Sequence, residues 1–332
     1  MRVKCLWLGI FLVGVASLGA RLGFGADPFS EKEGNPVLEH VGTAGTIDWL
    51  KGTIEAAGIG APPHEYEKSQ ARRLAFPEAL ADAYESLLET VLKVRIDSST
   101  TVEGLVFKEQ AFLTQIESMV RKAQDNVATR EYLSDGTVKV VLCMSMRGGL
   151  SQLILPDEIV QVQDVKQMGK AKGSGSPRSD SGNDPEGGSK RGEEKDASAS
   201  RSEPPNHSNS GVVVDARGIG AKPALAPKIL DEEGRQVYGS AFVSREFAVQ
   251  QGMTGYVADL SSAQKNTRVG GKPLVVRGLR AVGPQSADIV ISNADADKVR
   301  RTSQHLSLLK RCRVVIVIDQ PSQEGAGDRK AG

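Results

Sequence analysis

Between Val165 and Val212 the sequence contains no Val, Leu, Ile, Phe, Tyr or Trp. A stretch without those residues cannot bury enough apolar area to offset the entropy of ordering it, which predicts a flexible, disordered tether over residues 166–210. Cysteine is sparse as well: three occur in 332 residues and no CxxC is present, which excludes a disulfide scaffold and the usual zinc spacings. Apart from Cys5 these are Cys143 and Cys312, both in or beside apolar strands, where buried free thiols are expected and an inter-domain disulfide is the competing reading. Of the four histidines, only His64 and His305 fall in regions expected to fold, so general-base chemistry has few candidates. There is no G-x-S-x-G elbow, no H-E-x-x-H and no Walker loop. A net charge of +1 leaves no basic footprint, which argues against nucleic acid as a partner. The longest apolar run, Cys5 to Ala20, is shorter than the ~18 residues expected of a membrane-spanning helix.

That run is instead framed as an export signal. Arg2 and Lys4 precede it, and small residues around Gly23, Gly25 and Ala26 follow, so residues 1–26 read as a signal peptide cleaved after Gly25 or Ala26. An uncleaved anchor is the competing reading. No Cys follows the apolar run, so there is no lipobox. The remainder divides into a polar leader (27–46), a first folded region (47–165), the tether (166–210), a second folded region (211–320) and a disordered tail (321–332). The expected class is α+β: strand, helix, strand, helix and hairpin in the first region, and a mixed α/β arrangement in the second.

In the first region Ile54, Ala56 and Gly58 alternate as a strand does, ending in Gly60-Ala61-Pro62-Pro63. From Glu67 to Leu92 the set Ala71, Leu74, Ala81, Tyr84, Leu88 and Val91 recurs at three and four, predicting a helix with that face inward and a kink or restart at Pro77. A strand at Val94 to Asp97, a helix at Lys108 to Ala123 and strands at Asn126–Leu133 and Thr137–Met146 follow. The last two flank Ser134-Asp135-Gly136, a hairpin signal.

The ordered pieces IEAAGIGAPP, QARRLAFPEALADAYESLLETV, VRIDSSTTV and REYLSDGTVKVVLCM, over about residues 50–160, resemble the small bacterial outer-membrane lipoproteins that include the flagellar assembly proteins P and T. Gly58, Gly60, Arg72, Arg73, Asp82, Ala83, Tyr84, Leu87, Asp97, Tyr132, Asp135 and Gly136 carry the likeness. It implies a structural role without catalysis or cofactor, in some relatives as disks or rings around the flagellar motor. Two departures stand out: the lipobox is missing, and Pro77 interrupts the helix. Other readings of these residues are solvated or structural. Gly58-Ile59-Gly60 lacks the third glycine of a dinucleotide loop, and Arg72 and Arg73 suit a solvated helix face or an anionic surface.

In the second region Val212–Asp215 begins as a buried strand, Ile229-Leu230 and Val237-Tyr238 bracket a turn at Asp231–Gly234, and Ser244 to Gln250 is a short helix. Leu274 to Val282 is a further strand. Ile289–Ile291, a helix carrying Val299, Leu306 and Leu309, and Val314–Ile318 suggest a right-handed parallel crossover. Three apolar strands thus end in acids, Asp215, Asp295 and Asp319. With parallel strands these would meet on one edge and could hold a divalent cation such as Mg²⁺ or Ca²⁺, or a small ligand. Against that stands the ordinary preference of acids for strand exits and helix starts.

Two functions of different class follow. The first is an exported cell-envelope protein, periplasmic or outer-membrane associated, that packs as a homo-oligomer or with other envelope proteins and is compatible with peripheral membrane association. The second is a periplasmic metal or small-ligand binder using Asp215, Asp295 and Asp319.

Overall fold

A computed structural model of the chain describes residues 35–62, 68–156, 159, 209–302 and 307–320. The expected export signal, nearly all of the tether, the tail, and His64 and His305 lie outside the described residues.

Structure begins earlier than the polar composition suggests. Strands β1 (Leu38–Val41) and β2 (Gly45–Asp48) form an antiparallel hairpin, β1 inside the expected leader and β2 across its end. β3 (Thr53–Gly60) pairs with β2, and the long helix α1 (Lys68–Lys93) packs back over the sheet. The helix expected over 108–123 is α3 (Ala111–Val120), and a further short helix, α2 (Val102–Lys108), precedes it. β4 (Gln124–Asp125) and β5 (Glu131–Tyr132) both pair with β6 (Val138–Ser145), giving the order β1-β2-β3-β6-β4 with β5 beside β6. Helix α4 (Gly149–Ile154) closes the region.

The fit of α1 on β3 explains most of the distinctive residues. Along β3, Ile54, Ala56, Gly58 and Gly60 are buried while Glu55 and Ile59 are exposed, the period of two that a one-sided strand requires. A Cβ on Gly58 would lie 2.1 Å from the Ala83 amide nitrogen, and one on Gly60 would lie 2.0 Å from the Ala75 carbonyl oxygen. Only glycine fits a backbone approach that close. The buried face of α1 is accordingly a ridge spaced by four, Ala71, Ala75, Ala79, Ala83, Leu87 and Val91. The larger residues expected inward are displaced to the flanks: Leu74 is exposed, and Tyr84 and Leu88 are half-buried. Pro77 sits on the exposed side and the helix runs through it without restarting. The carbonyl it leaves unbonded, that of Arg73, belongs to an exposed turn that water can satisfy. Asp82 also has a structural task. Past the end of β2 the Ile59 amide has no strand partner, and it donates to Asp82 Oδ2 at 2.8 Å.

The second region contains β7 (Val212–Asp215), β8 (Ile229–Leu230), β9 (Gln236–Tyr238), α5 (Arg245–Gln251), β10 (Gly255–Val257), α6 (Leu260–Lys265), β11 (Leu274–Val282), β12 (Asp288–Ile291), α7 (Asn293–Thr302), α8 (Ser307–Lys310) and β13 (Val314–Val317). They form a seven-stranded sheet in the order β10-β13-β7-β11-β12-β8-β9. β10, β13, β7 and β11 are mutually parallel, and β12 is antiparallel to β11. The expected parallel crossover from β12 to β13 is therefore incorrect. Those strands run in opposite directions with β7 and β11 between them. The cause lies in β11, which is long enough to pair its first half with β7 and its second half with β12, the register shifting between Gly278 and Arg280.

The two regions are not separate bodies in the structure. Both belong to one compact unit and share one hydrophobic core. The segment 94–97, expected as a strand, forms only an isolated bridge between Arg95 and Thr101 and, with Ser98, serves mainly as the docking edge. Across the seam Leu225 N donates to Arg95 O at 3.0 Å, Ala226 N to Ile96 O at 2.6 Å and Gln285 N to Ser98 O at 2.8 Å. Ser98 Oγ donates to the buried Asp288 at 2.6 Å. Arg95 donates to Pro223 O at 2.7 Å, pairs with Glu39 through both terminal nitrogens, and lies 5.7 Å from the centroid of the Trp49 ring. Trp49 in turn meets Tyr256 edge to face at 5.8 Å.

Candidate functional site

The acids expected at one sheet edge separate into two groups. β7 and β13 are parallel neighbours with Val317 opposite Asp215, so Asp215 and Asp319 do reach the same edge. Asp295 does not. It follows β12, which runs against β7 and β13, and so sits at the opposite end of the sheet. The set Asp215, Asp295 and Asp319 is therefore not one site in this fold, because the parallel arrangement it required is broken at β12. Asp259, at the end of β10, takes the third place instead.

The carboxylates of this edge are already engaged within the fold. Arg217 donates to Asp215 twice, at 2.8 and 2.7 Å, and that side-chain bond holds the Asp215 carboxyl below its ordinary range. Asp319 accepts the Gly218 amide at 2.7 Å. Asp259 caps α6 through Ser262 N at 2.8 Å, and with the Ser261 hydroxyl foremost its pKa falls to about 2. Arg217 lies in the field of all three carboxylates and supplies a positive charge there. Among the described residues no group of three or more His, Cys, Asp or Glu side chains is placed to hold a metal ion.

The opposite edge carries a tighter cluster. Asp231, wholly buried, accepts the Arg235 amide and Nε, each at 2.8 Å, and Arg300 Nη2 at 2.7 Å. Burial pushes this carboxyl up, but the Arg300 bond and the Arg235 amide and side-chain bonds outweigh it and bring the pKa to about 2. Glu232 accepts the Asn293 amide at 2.9 Å, bolting the β8–β9 turn to the start of α7. The sequence marks Asp231–Gly234 as a turn and places Arg235 within reach of Asp231; the second ion pair, from Arg300, 69 residues away, has no local signal.

In the first region the candidate side chains are likewise engaged in packing. Arg72 lies 5.6 Å from the Tyr132 ring centroid and Arg130 lies 4.8 Å from that of Phe76. Asp97 accepts Ser99 N and Thr100 N at 2.7 and 2.8 Å, closing its own turn. Cys143 and Cys312 are free thiols, and burial raises both, Cys312 to about 12. One concave feature among the described residues is a cleft of about 510 Å³ between α1 and α3, lined by Ala81, Tyr84, Glu85 and Leu88 from one helix, Glu117 and Val120 from the other, and Arg121 just past its end. Large apolar side chains also remain in solvent, notably Phe107, 93% exposed, and Ile59, 58% exposed.

Residues 211–320 match the family model described as the second domain of Treponema pallidum Tp0624. The match spans 110 of the 332 residues and runs from just before β7 to just past β13. No curated protein matches the chain. The second region is thus similar to a unit that stands as one domain of a larger protein.

Proposed function

We propose that the chain is an exported cell-envelope protein with a structural or assembly role like that of the flagella-associated lipoproteins it resembles, acting by binding rather than by catalysis. One observation carries this reading. The residues that make the sequence distinctive, such as Gly58, Gly60, Asp82 and Asp97, are occupied in holding the fold together, whereas the first region presents large apolar side chains and an apolar cleft to solvent. Exposed apolar surface of this kind marks interaction sites. Similarity of residues 211–320 to a second domain is in keeping with a unit that is carried behind another module. The metal-binding alternative loses its basis with the separation of Asp295 from Asp215 and Asp319, and with the pairing of Asp215 to Arg217.

Cell fractionation combined with sedimentation velocity tests the proposal. The expected result is retention with the envelope and a species larger than the monomer, alone or with partners. A monodisperse monomer found wholly in the soluble fraction would contradict it.

A further inference from the structure

The lining of the cleft between α1 and α3 sets two carboxylates, Glu85 and Glu117, against one cation, Arg121, and a row of acids runs along α1 beside it. From Glu78 to Glu89 every exposed charged side chain of α1 is acidic: Glu78, Asp82, Glu85 and Glu89. Spacings of four, three and four place them in one row, about 16 Å long at 1.5 Å per residue. Asp82 accepts the Ile59 amide, while Glu78, Glu85 and Glu89 form no ion pair among the described residues. Like charges at this spacing weaken a helix, and Glu89 lies toward the negative pole of the macrodipole. Asp82 apart, the row therefore does nothing for the stability of α1. Beside it the cleft floor is apolar, formed by Ala81, Leu88 and Val120 with the Tyr84 ring, and Glu117 adds a further carboxylate from α3.

We propose that this cleft is a docking groove for an amphipathic helix of another protein, one presenting an apolar stripe flanked by Lys or Arg. The apolar stripe displaces water from Ala81, Leu88 and Val120, and the cationic flank meets the carboxylate row over about three helical turns. Charge complementarity selects the partner's sign, and the length of the row suits a helix. Among the described residues this chain has no free helix of that kind to offer a second copy. The basic helix α7 already buries Ala296 and Val299 in its own core. The inference rests on the binding role proposed above and names the partner's chemistry; envelope retention can hold while the groove fails, so the two are separable.

The test titrates the full chain with a fluorescent peptide of about 18 residues, five turns, built of Leu and Lys with Leu at i, i+3, i+4 and i+7. A Leu and Glu counterpart serves as control. Saturable binding of the Lys peptide is expected, weakened about tenfold or more by Ala81→Arg, which fills the groove from an exposed position, and by Glu85→Lys. Glu55→Lys, on the opposite face of the sheet, leaves binding unchanged, and added salt weakens it. Far-UV circular dichroism checks that each variant is folded. The proposal is overturned by no saturable binding, by equal binding to Ala81→Arg, by equal loss in Glu55→Lys, or by equal binding of the Glu peptide. Concentration-dependent self-association abolished by Ala81→Arg would assign the groove to a second copy and overturn it as well.

Discussion

Replacing Gly58 with alanine sets two effects of opposite sign against each other. Removing a glycine from a strand stabilises a protein by about 0.4–1 kcal/mol through the unfolded chain when the native backbone tolerates a side chain. The new Cβ, however, would sit 2.1 Å from Ala83 N and 2.3 Å from Ala79 O, both backbone atoms. Ordinary contact begins near 3.4 Å, so α1 must retreat by about 1.3 Å (3.4 − 2.1) at that point. Overpacking of this kind costs about 1–3 kcal/mol, and a gap of roughly 1 Å along the rest of the alanine ridge forfeits up to half of each dispersion contact. Contact therefore outweighs entropy, and Gly58→Ala is expected to destabilise by about 1–3 kcal/mol, read as a lower urea midpoint at unchanged slope. Gly60→Ala meets Ala75 O at 2.0 Å on the same helix. Once α1 has moved for one substitution the second costs less, so the double variant should fall short of the sum by about 0.5 kcal/mol or more. A neutral or stabilising Gly58→Ala would refute the close approach of β3 and α1.

Three further outcomes follow from the geometry. Trp49→Ala removes a buried aromatic from the seam between regions and should cost about 3–5 kcal/mol, with thiol exposure of Cys143 and Cys312 shifting together in urea; a shift of one thiol alone would show that the regions unfold separately. Asp231 has a folded pKa of about 2, below the ~3.9 of a free Asp, so its contribution is fully present above about pH 4 and is lost as pH falls toward 2. Asp231→Asn should lower stability at neutral pH and flatten the acid limb between about pH 4 and 2, and parallel limbs for the two proteins would refute the cluster. Because burial lifts the Cys312 thiol to about 12 and only raises that of the half-buried Cys143, iodoacetamide at pH 8 should modify Cys143 first and leave Cys312 intact until unfolding; early loss of Cys312 would contradict its placement.

What the sequence made legible was local. The runs at Val212–Asp215 and Val314–Val317 are strands because continuous β-branched residues leave no other economical burial, and the turn at Asp231–Gly234 joins β8 to β9. What stayed hidden depends on contacts far apart in the chain. On the inward face of α1 size, rather than hydrophobicity, decides: glycines on β3 select the alanine ridge and push Leu74 outward. The direction of β12 is set by how β11 divides its length between two neighbours, which no periodicity reports. For the same reason the acids were grouped wrongly, with Asp295 in the place that Asp259 holds. β1 and β2 were overlooked because their short, partly exposed strands look like a polar leader.

The seam also changes the meaning of the low-hydrophobicity stretch. Residues 166–210 were expected to let two modules move independently, yet the regions on either side share one core and a line of backbone hydrogen bonds. Cleaving the full chain at a protease site placed within residues 166–208 tests this most directly. The two fragments should co-elute as one species and retain the urea midpoint of the intact protein to within a few tenths of a molar. Separation of the fragments without denaturant, each unfolding at its own midpoint, would contradict it.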